Sequence, residues 1–434
     1  MRNVFVIGND PFNLETMQGL REARRYDFQA LLPTSSVLKA DSYDFHQLVG
    51  DADEELRQFG QTVDGIVTWW DFPSSALIPV VTELWDLYGP DLRSVLTLEH
   101  KYWSRLIQRA VAPEHVPSFA AFDPFSDDAL SQVLDAGLTY PFWVKPVKSV
   151  ASYLGFLVEG PEDFAEALEI IRAEVSKYGD PFEQALERVH DLPHEIEWLG
   201  GNACLAEGII GGWQCTVEGF VSFGDVTVYG TVDSIREEGV STFRAYHYPS
   251  QLPTPIQRRM AQIAGEVVTA AGLNHSCFNA EFFYDTEQGE LWFLEVNVRL
   301  SQSHCDLFAK VDGASSQRAM IDLAQGRTPR MPYRLGDFPV AAKYFLRTTV
   351  DDGIVRSVPS EDDIAAVAER FPGTRIEIAV SVGTRLSDLP VQETYSWELG
   401  RIFFGADSHD ALESTFAEIE SMLPFEIEPV EGGS

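Results

Sequence analysis

The 434-residue chain is short of positive charge, holds few cysteines, and lacks any long hydrophobic run. Lys and Arg number 32 against 67 Asp and Glu, a net charge of -35. A nucleic-acid-binding surface needs clustered Lys and Arg, so this acidic field excludes that class. Solubility, or a salty cytoplasm, accounts for the charge. Cys204, Cys215, Cys277 and Cys305 are widely spaced with no C-x-x-C pair, which leaves no zinc or disulfide framework and points to the reducing cytoplasm. The opening MRNVFVIGND has one arginine and an apolar run too brief for a signal sequence or a membrane span; it reads as a first strand. No G-x-G-x-x-G follows that strand, and neither a G-x-x-x-x-G-K-[ST] nor a G-x-S-x-G occurs anywhere. The dinucleotide fingerprint, the P-loop and the serine-hydrolase elbow are therefore missing, and a nucleotide site would have to be built otherwise.

What the chain does have is the run FNAEFFYDTEQGELWFLEVNVRLSQSH at residues 278 to 304. It reads as two strands. Side chains alternate faces along a strand, so Glu295, Asn297 and Arg299 share one face, as do Asn279 and Glu281 on the preceding strand. A three-residue loop Glu287-Gln288-Gly289 would set Glu281 opposite Glu295 and Asn279 opposite Asn297, with Phe282, Tyr284, Trp292, Leu294 and Val296 on the apolar face. Like charges directly opposed destabilise a sheet. A divalent cation bound to phosphates resolves the conflict, because magnesium takes a few carboxylate or amide oxygens and lets phosphate oxygens complete its octahedron.

The run E-x-N-x-R, preceded by an acid fourteen residues earlier, resembles the magnesium-binding signature of the ATP-grasp superfamily. The resemblance extends along most of the chain and implies an α/β architecture with α+β ATP-grasp lobes. Residues 1–95 alternate strand and helix (VFVIG, a helix near 13 to 25, FQALLP, DGIVTWW), the pattern of a parallel α/β pre-ATP-grasp domain. Residues 96–210 then form the small lobe, 211–334 the large lobe with the metal site, and 335–434 a small C-terminal α+β lobe similar to that of the biotin-carboxylase-like branch.

Within this frame, the resemblance implies roles for individual residues. Lys101 starts a helix and reaches ATP phosphates, with Arg105 one turn later as a weaker candidate. Lys145 ends an apolar strand in a V-K-P motif, ahead of a phosphate flap from Val147 to Gly155 that holds only one glycine, where the hydroxyls of Ser149 and Ser152 could help to cradle phosphate. Glu207 and the backbone of Gly208 to Ile210 bind the adenine edge, and Gln214 stands where many members carry a glutamate for the ribose hydroxyls. Glu281, Glu295 and Asn297 hold Mg2+, for which Mn2+ is the natural substitute, and Arg299 is catalytic. Arg236 and Arg244 offer an anion-binding element for a carboxylate, or local salt bridges; Ser303 and His304 are substrate-side residues. Residues 160 to 201 read as an acidic helix and an irregular insertion, in which His190 and His194 are separated by Pro193.

The function implied is that of an ATP-dependent ligase. It would activate a small-molecule carboxylate as an acylphosphate, releasing ADP and phosphate, and join it to an amine as an amide. Partners are thus small molecules, with no nucleic acid and no membrane, and the branch favours a homodimer. The alternative is a biotin-carboxylase-like enzyme using bicarbonate. That group has a glutamate four residues after the motif arginine and an arginine in the first strand of the C-terminal lobe, where this chain has Ser303 and Phe345, and no M-K-M biotin acceptor is present. A non-catalytic ATP-binding protein is the second alternative, against which the intact Glu281, Glu295, Asn297 and Arg299 speak.

Overall fold

The computed structural model of the protein describes residues 1–150, 153–237, 242–389 and 396–430. No helix among them is long and apolar enough to cross a membrane. At the N-terminus the strands Arg2–Ile7, Tyr26–Leu31 and Gly65–Val67 make a parallel sheet with the first strand in the middle. Asp10 starts the first helix, Pro11–Gln18, by accepting the backbone N–H of Asn13. That helix stops earlier than its apolar pattern suggests, at Gly19. Thr68-Trp69-Trp70-Asp71 follow the third strand at its C-terminal end, where parallel α/β sheets carry their sites.

The expected helix after residue 96 is two helices, Leu92–Glu99 and Lys101–Val111, broken at His100, whose imidazole accepts from the N–H of Trp103. The break puts Lys101 at a helix start. Beyond it, a four-stranded antiparallel sheet runs in the order Phe119–Phe122, Cys204–Gly208, Phe142–Pro146, Phe156–Val158. Residues 176 to 199, read as irregular from sequence, are instead the helices Ser176–Leu186 and His194–Leu199. Phe182, Ala185, Leu186 and Ile196 explain the difference, since they pack into the core of the N-terminal sheet with Phe45 and Phe72.

Eight antiparallel strands form the largest sheet, in the order Leu291–Asn297, Ser276–Tyr284, Trp213–Ser222, Asp225–Arg236, Phe243–Tyr248, Val340–Thr348, Trp397–Ala406, Arg375–Ile378. The strands after residue 335 therefore prolong the sheet that carries the acids. Its back is apolar. There the helix Thr254–Ala270 places Met260, Ile263 and Val267 against Val217, Phe278 and Phe293, while Leu412 and Phe416 of the helix His409–Ser421 cover Tyr344 and Phe404. Its front is polar across the middle strands, and on part of it the helix Cys305–Asp312 packs Leu307, Phe308 and Val311 against Val232 and Tyr248. All four cysteines are buried and unpaired.

The expected hairpin is present with the expected acid pairing, Glu281 opposite Glu295 and Asn279 opposite Asn297. The loop is not the three-residue one. It spans 285 to 290, closed by the N–H of Asp285 donating to Glu290 O at 2.8 Å, with the Asp285 carboxylate accepting from the N–H groups of Glu287 and Gln288 and Gly289 at φ 73°. A bulge near Leu294 absorbs the difference, because Phe282 pairs with Phe293 rather than with Leu294. Consequently Leu291 and Phe293, not Trp292 and Leu294, are the buried side chains before the bulge, and Phe293 stacks on Phe282 at 4.6 Å.

Candidate active site

The acid pair lies on the front of the large sheet, facing the linker helix and the end of the Phe142–Pro146 strand. Among the described residues Glu281 forms no ion pair, although the Arg299 and Arg236 charges favour its ionised form. Its carboxylate accepts from Gln214 Nε2 at 3.0 Å and Asn297 Nδ2 at 3.2 Å. Burial, then the facing Glu295, pushes Glu281 up to about 7. Glu295 goes the other way. Burial opposes its charge, but Lys101, 3.5 Å from it, and Lys145 outweigh burial and hold it below the usual carboxylate range. Asn279 donates to Arg299 O at 3.0 Å and its own oxygen accepts from Asn297, so the two asparagines fix the strand that presents Arg299.

Lys101, Lys145 and Lys148 converge on this face from the small lobe and its linker. The N–H of Lys101 donates to Val147 O at 2.8 Å and its ammonium to Ser149 O at 3.4 Å, so the linker helix holds the base of the flap. Lys145 pairs with Glu207 at 2.5 Å. Arg105 is buried, 2% exposed, and its guanidinium binds Glu207, Gln108 and the carbonyl of Phe293 at the bulge. It ties the four-stranded sheet to the eight-stranded one, and only its buried Nη2 is left without a partner. Burial disfavours the Glu207 charge, yet Arg105 and Lys145 bring its pKa down to about 2.

Three participants went unread in the sequence. Asp71, from the N-terminal sheet, bonds Arg299 Nη2 at 2.9 Å and lies 3.5 Å from Lys148; these cations hold its carboxyl well below the usual range despite burial. Lys148 is buried against Glu99 at 2.8 Å, which keeps its ammonium charged against desolvation. The position of Asp71 at the end of a parallel strand was the available signal. Nothing local marks Lys148 or Glu99, because only the fold brings the flap onto the linker helix.

Other expected residues are placed differently. The Gly208 N–H donates to Ser118 O at 2.9 Å, so that amide belongs to the sheet, and beyond it Ile209 is exposed. Ile210 follows, itself half-buried in an otherwise exposed connection before the Trp213–Ser222 strand. Gln214 is committed to Glu281 and, through its oxygen, to Arg236 at 2.6 and 2.9 Å, which sets both beside the acids. Arg244 does not join Arg236: a register shift between Phe243 and Ala245 turns it to Glu413, with contacts of 2.6 and 3.0 Å. Glu218, one strand over, is fully buried and accepts from His304 Nδ1 at 2.8 Å. Ser303 accepts from Lys343 at 2.9 Å. Ser152 lies outside the described residues.

Glu281 without an ion pair among the described residues, Glu295 held by Lys101, two further lysines close by and an arginine just past the end of the same strand are an arrangement that a metal–nucleotide complex would complete. Residues 138–305 match the family model of the ATP-grasp domain. These residues are an ATP-grasp domain. The whole chain shares its fold with several solved proteins. An L-amino acid ligase from Bacillus licheniformis superposes with a TM-score of 0.71 at 17% identity, covering 99% of each chain. A biotin carboxylase from Campylobacter jejuni gives 0.64 at 15% identity, covering 98% of this chain and 92% of that one. Phosphoribosylglycinamide synthetase from Anaerococcus prevotii gives 0.63 at 13%, covering 98% and 100%. No curated protein sequence matches the chain.

The geometry around the acid pair suits a metal ion and an anion. Among the described residues no group of three or more His, Cys, Asp and Glu side chains could hold a metal by itself. Two carboxylates and an amide suit an ion that keeps sites open for phosphate oxygens. The buried Nε of Arg299 has no hydrogen-bond partner, which leaves a donor for an incoming anion.

Proposed function

We propose that the protein is an ATP-dependent ligase that joins a small carboxylic acid to an amine. The observation that carries this reading is the Glu281–Glu295 pair on one sheet face with Arg299, against which Lys101, Lys145 and Lys148 converge. Glu281, Glu295 and Asn297 would hold Mg2+, or Mn2+ in its place, and the lysines and the flap would hold ATP phosphates, with the adenine near Glu207 to Ile210. When bound, the metal neutralises phosphate charge.

The residues then act by position and charge. Lys101 and Lys145 leave Glu295 and Glu207 for phosphate oxygens, a short exchange of one anion for another. Arg299 leaves Asp71 to meet the transferring phosphoryl group, and afterwards the oxyanion formed when the amine attacks the acylphosphate carbon. Asp71 and Lys148 link that arginine to the N-terminal sheet, so substrate binding there is felt at the reacting centre. Gln214 holds Glu281 toward the metal position.

The L-amino acid ligase and the phosphoribosylglycinamide synthetase share this fold, and their names describe amide-type joining. Ser303 and Phe345 differ from the residues that the carboxylase reading requires. The test is ATP consumption with magnesium across acids and amines, alone and in pairs. ADP and phosphate formed only with an acid and an amine, and lost in Glu295→Ala, are expected. Turnover with bicarbonate and biotin would move the protein to the carboxylases, AMP and pyrophosphate would refute the acylphosphate, and binding without turnover would leave a nucleotide-binding protein. Light scattering at twice the 48.5 kDa chain mass would establish the expected homodimer.

A further inference from the structure

Two strands beyond Arg236, on the same polar face, the buried ammonium of Lys343 forms no ion pair among the described residues. It is 2% exposed. It donates to Ser303 Oγ at 2.9 Å and otherwise meets ring faces: Phe345 at 4.3 Å, Tyr246 and Phe403 each at 5.6 Å. No carboxylate among the described residues pairs with it. The nearby acids, Glu398 and Glu377, are 2.7 and 3.5 Å from Arg401. Burial, then the Arg401 charge, lowers the Lys343 pKa to about 7. Desolvating an ammonium without an anion is unfavourable, and aromatic faces return only part of the lost hydration.

A second group beside it is also incomplete. His304 bonds Glu218 through Nδ1, but its buried Nε2 has no partner. Its imidazole meets the Tyr246 ring edge-on at 5.0 Å, the ring that also flanks Lys343. Ser303 and His304 both lie in the turn that follows Arg299, so the unpaired ammonium and the unpaired imidazole nitrogen border the ground next to the reacting centre.

We propose that Lys343 and Ser303 form an anion site that anchors a substrate carboxylate remote from the bond being made, so that the enzyme selects a substrate bearing a carboxylate besides its reacting group. One ammonium and one hydroxyl over aromatic rings match a monoanion with two oxygens; a phosphate dianion calls for more donors, an arginine fork or a nest of backbone N–H groups. The inference rests on the ligase reading. The carboxylate can belong to the activated acid, which is then a dicarboxylate, or to the attacking amine, which is then an amino acid.

Full-length protein with Mg-ATP separates these cases when hydroxylamine first stands in for the amine, so that acid activation is read as hydroxamate without an acceptor. Mono- and dicarboxylic acids are compared in that arm, and amino acids with amines lacking the carboxylate in the second. In Lys343→Met the KM for the carboxylate-bearing substrate should rise about 10- to 100-fold, as expected for a lost charged hydrogen bond. The KM for ATP and the rate with carboxylate-free analogues should not change, and Lys343→Arg should recover part of the loss. The arm that responds assigns the carboxylate to acid or amine. Equal effects on analogues with and without the carboxylate, or none on either, would overturn the anion site and leave the ligase intact. Neither hydroxamate nor ADP with any acid would overturn both.

Discussion

Two glutamates of this site, the buried Glu207 on the four-stranded sheet and the half-buried Glu281 on the front of the large sheet, meet opposite fates. Glu207 sits between Arg105 and Lys145 and is brought down to about 2. Glu281 faces Glu295, has only amide partners and is pushed up to about 7. The lysines repeat the contrast. Lys148 is paired with Glu99 and Asp71, whereas Lys343 has a hydroxyl and three rings. At the junction each of these charges has its counter-charge within the fold, and so holds the lobes together. On the front face Glu281 and Lys343 form no ion pair among the described residues, and in the reading proposed above a bound cation and a substrate anion would supply one to each.

The largest test of this contrast removes one partner from each region. Glu207→Ala leaves Arg105 and Lys145 buried and unpaired, and should cost about 3–5 kcal/mol in chemical denaturation. Glu281→Gln should cost nothing in the ligand-free protein, since it removes a like-charge conflict, yet should abolish magnesium-dependent turnover. Equal destabilisation by both would erase the distinction. Next in size, Arg299→Met should lower kcat about 10²- to 10³-fold, the range for a lost oxyanion-stabilising donor.

A smaller effect appears in the pH dependence of stability. The Glu281 pKa is raised above its ordinary value near 4.3, so its contribution is full below about pH 4 and is lost as pH rises through about 7. Lys343 is lowered from about 10.4 to about 7, so its contribution is full above its unfolded pKa and is lost as pH falls through about 7. Ligand-free thermal unfolding from pH 4 to 10 should therefore lose the Glu281 part of its slope in Glu281→Gln and the Lys343 part in Lys343→Met. Unaltered slopes would mean that neither group is held as described. Smallest, Lys101→Met should raise the KM for ATP about tenfold, near 1.4 kcal/mol, because Lys145 and Lys148 remain.

The acid pairing was legible because strand alternation and pair register are local. Glu281 opposite Glu295 follows from spacing, and the bulge near Leu294 cancelled the error in loop length, so a wrong loop still yielded the right pair. The buried aromatic did not survive that error: the bulge gave Phe293 the place expected for Leu294. Arg236 and Arg244, read as one anion-binding element, were separated by another register irregularity that no local pattern announces. Residues 176 to 199 looked irregular because their apolar face is completed by the N-terminal domain.

By itself the sequence determined the acid and asparagine set, the lysines at strand and helix ends, and the order of α/β and β-rich segments, all properties of periodicity and short spacing. Only the tertiary structure decided which charges are neutralised. Arg105 meets Glu207 across 102 positions, Arg299 meets Asp71 across 228, and Lys343 meets Ser303 across 40 and forms no ion pair among the described residues. Charge compensation depends on distance and desolvation in space, which the spacing of residues along a chain does not encode.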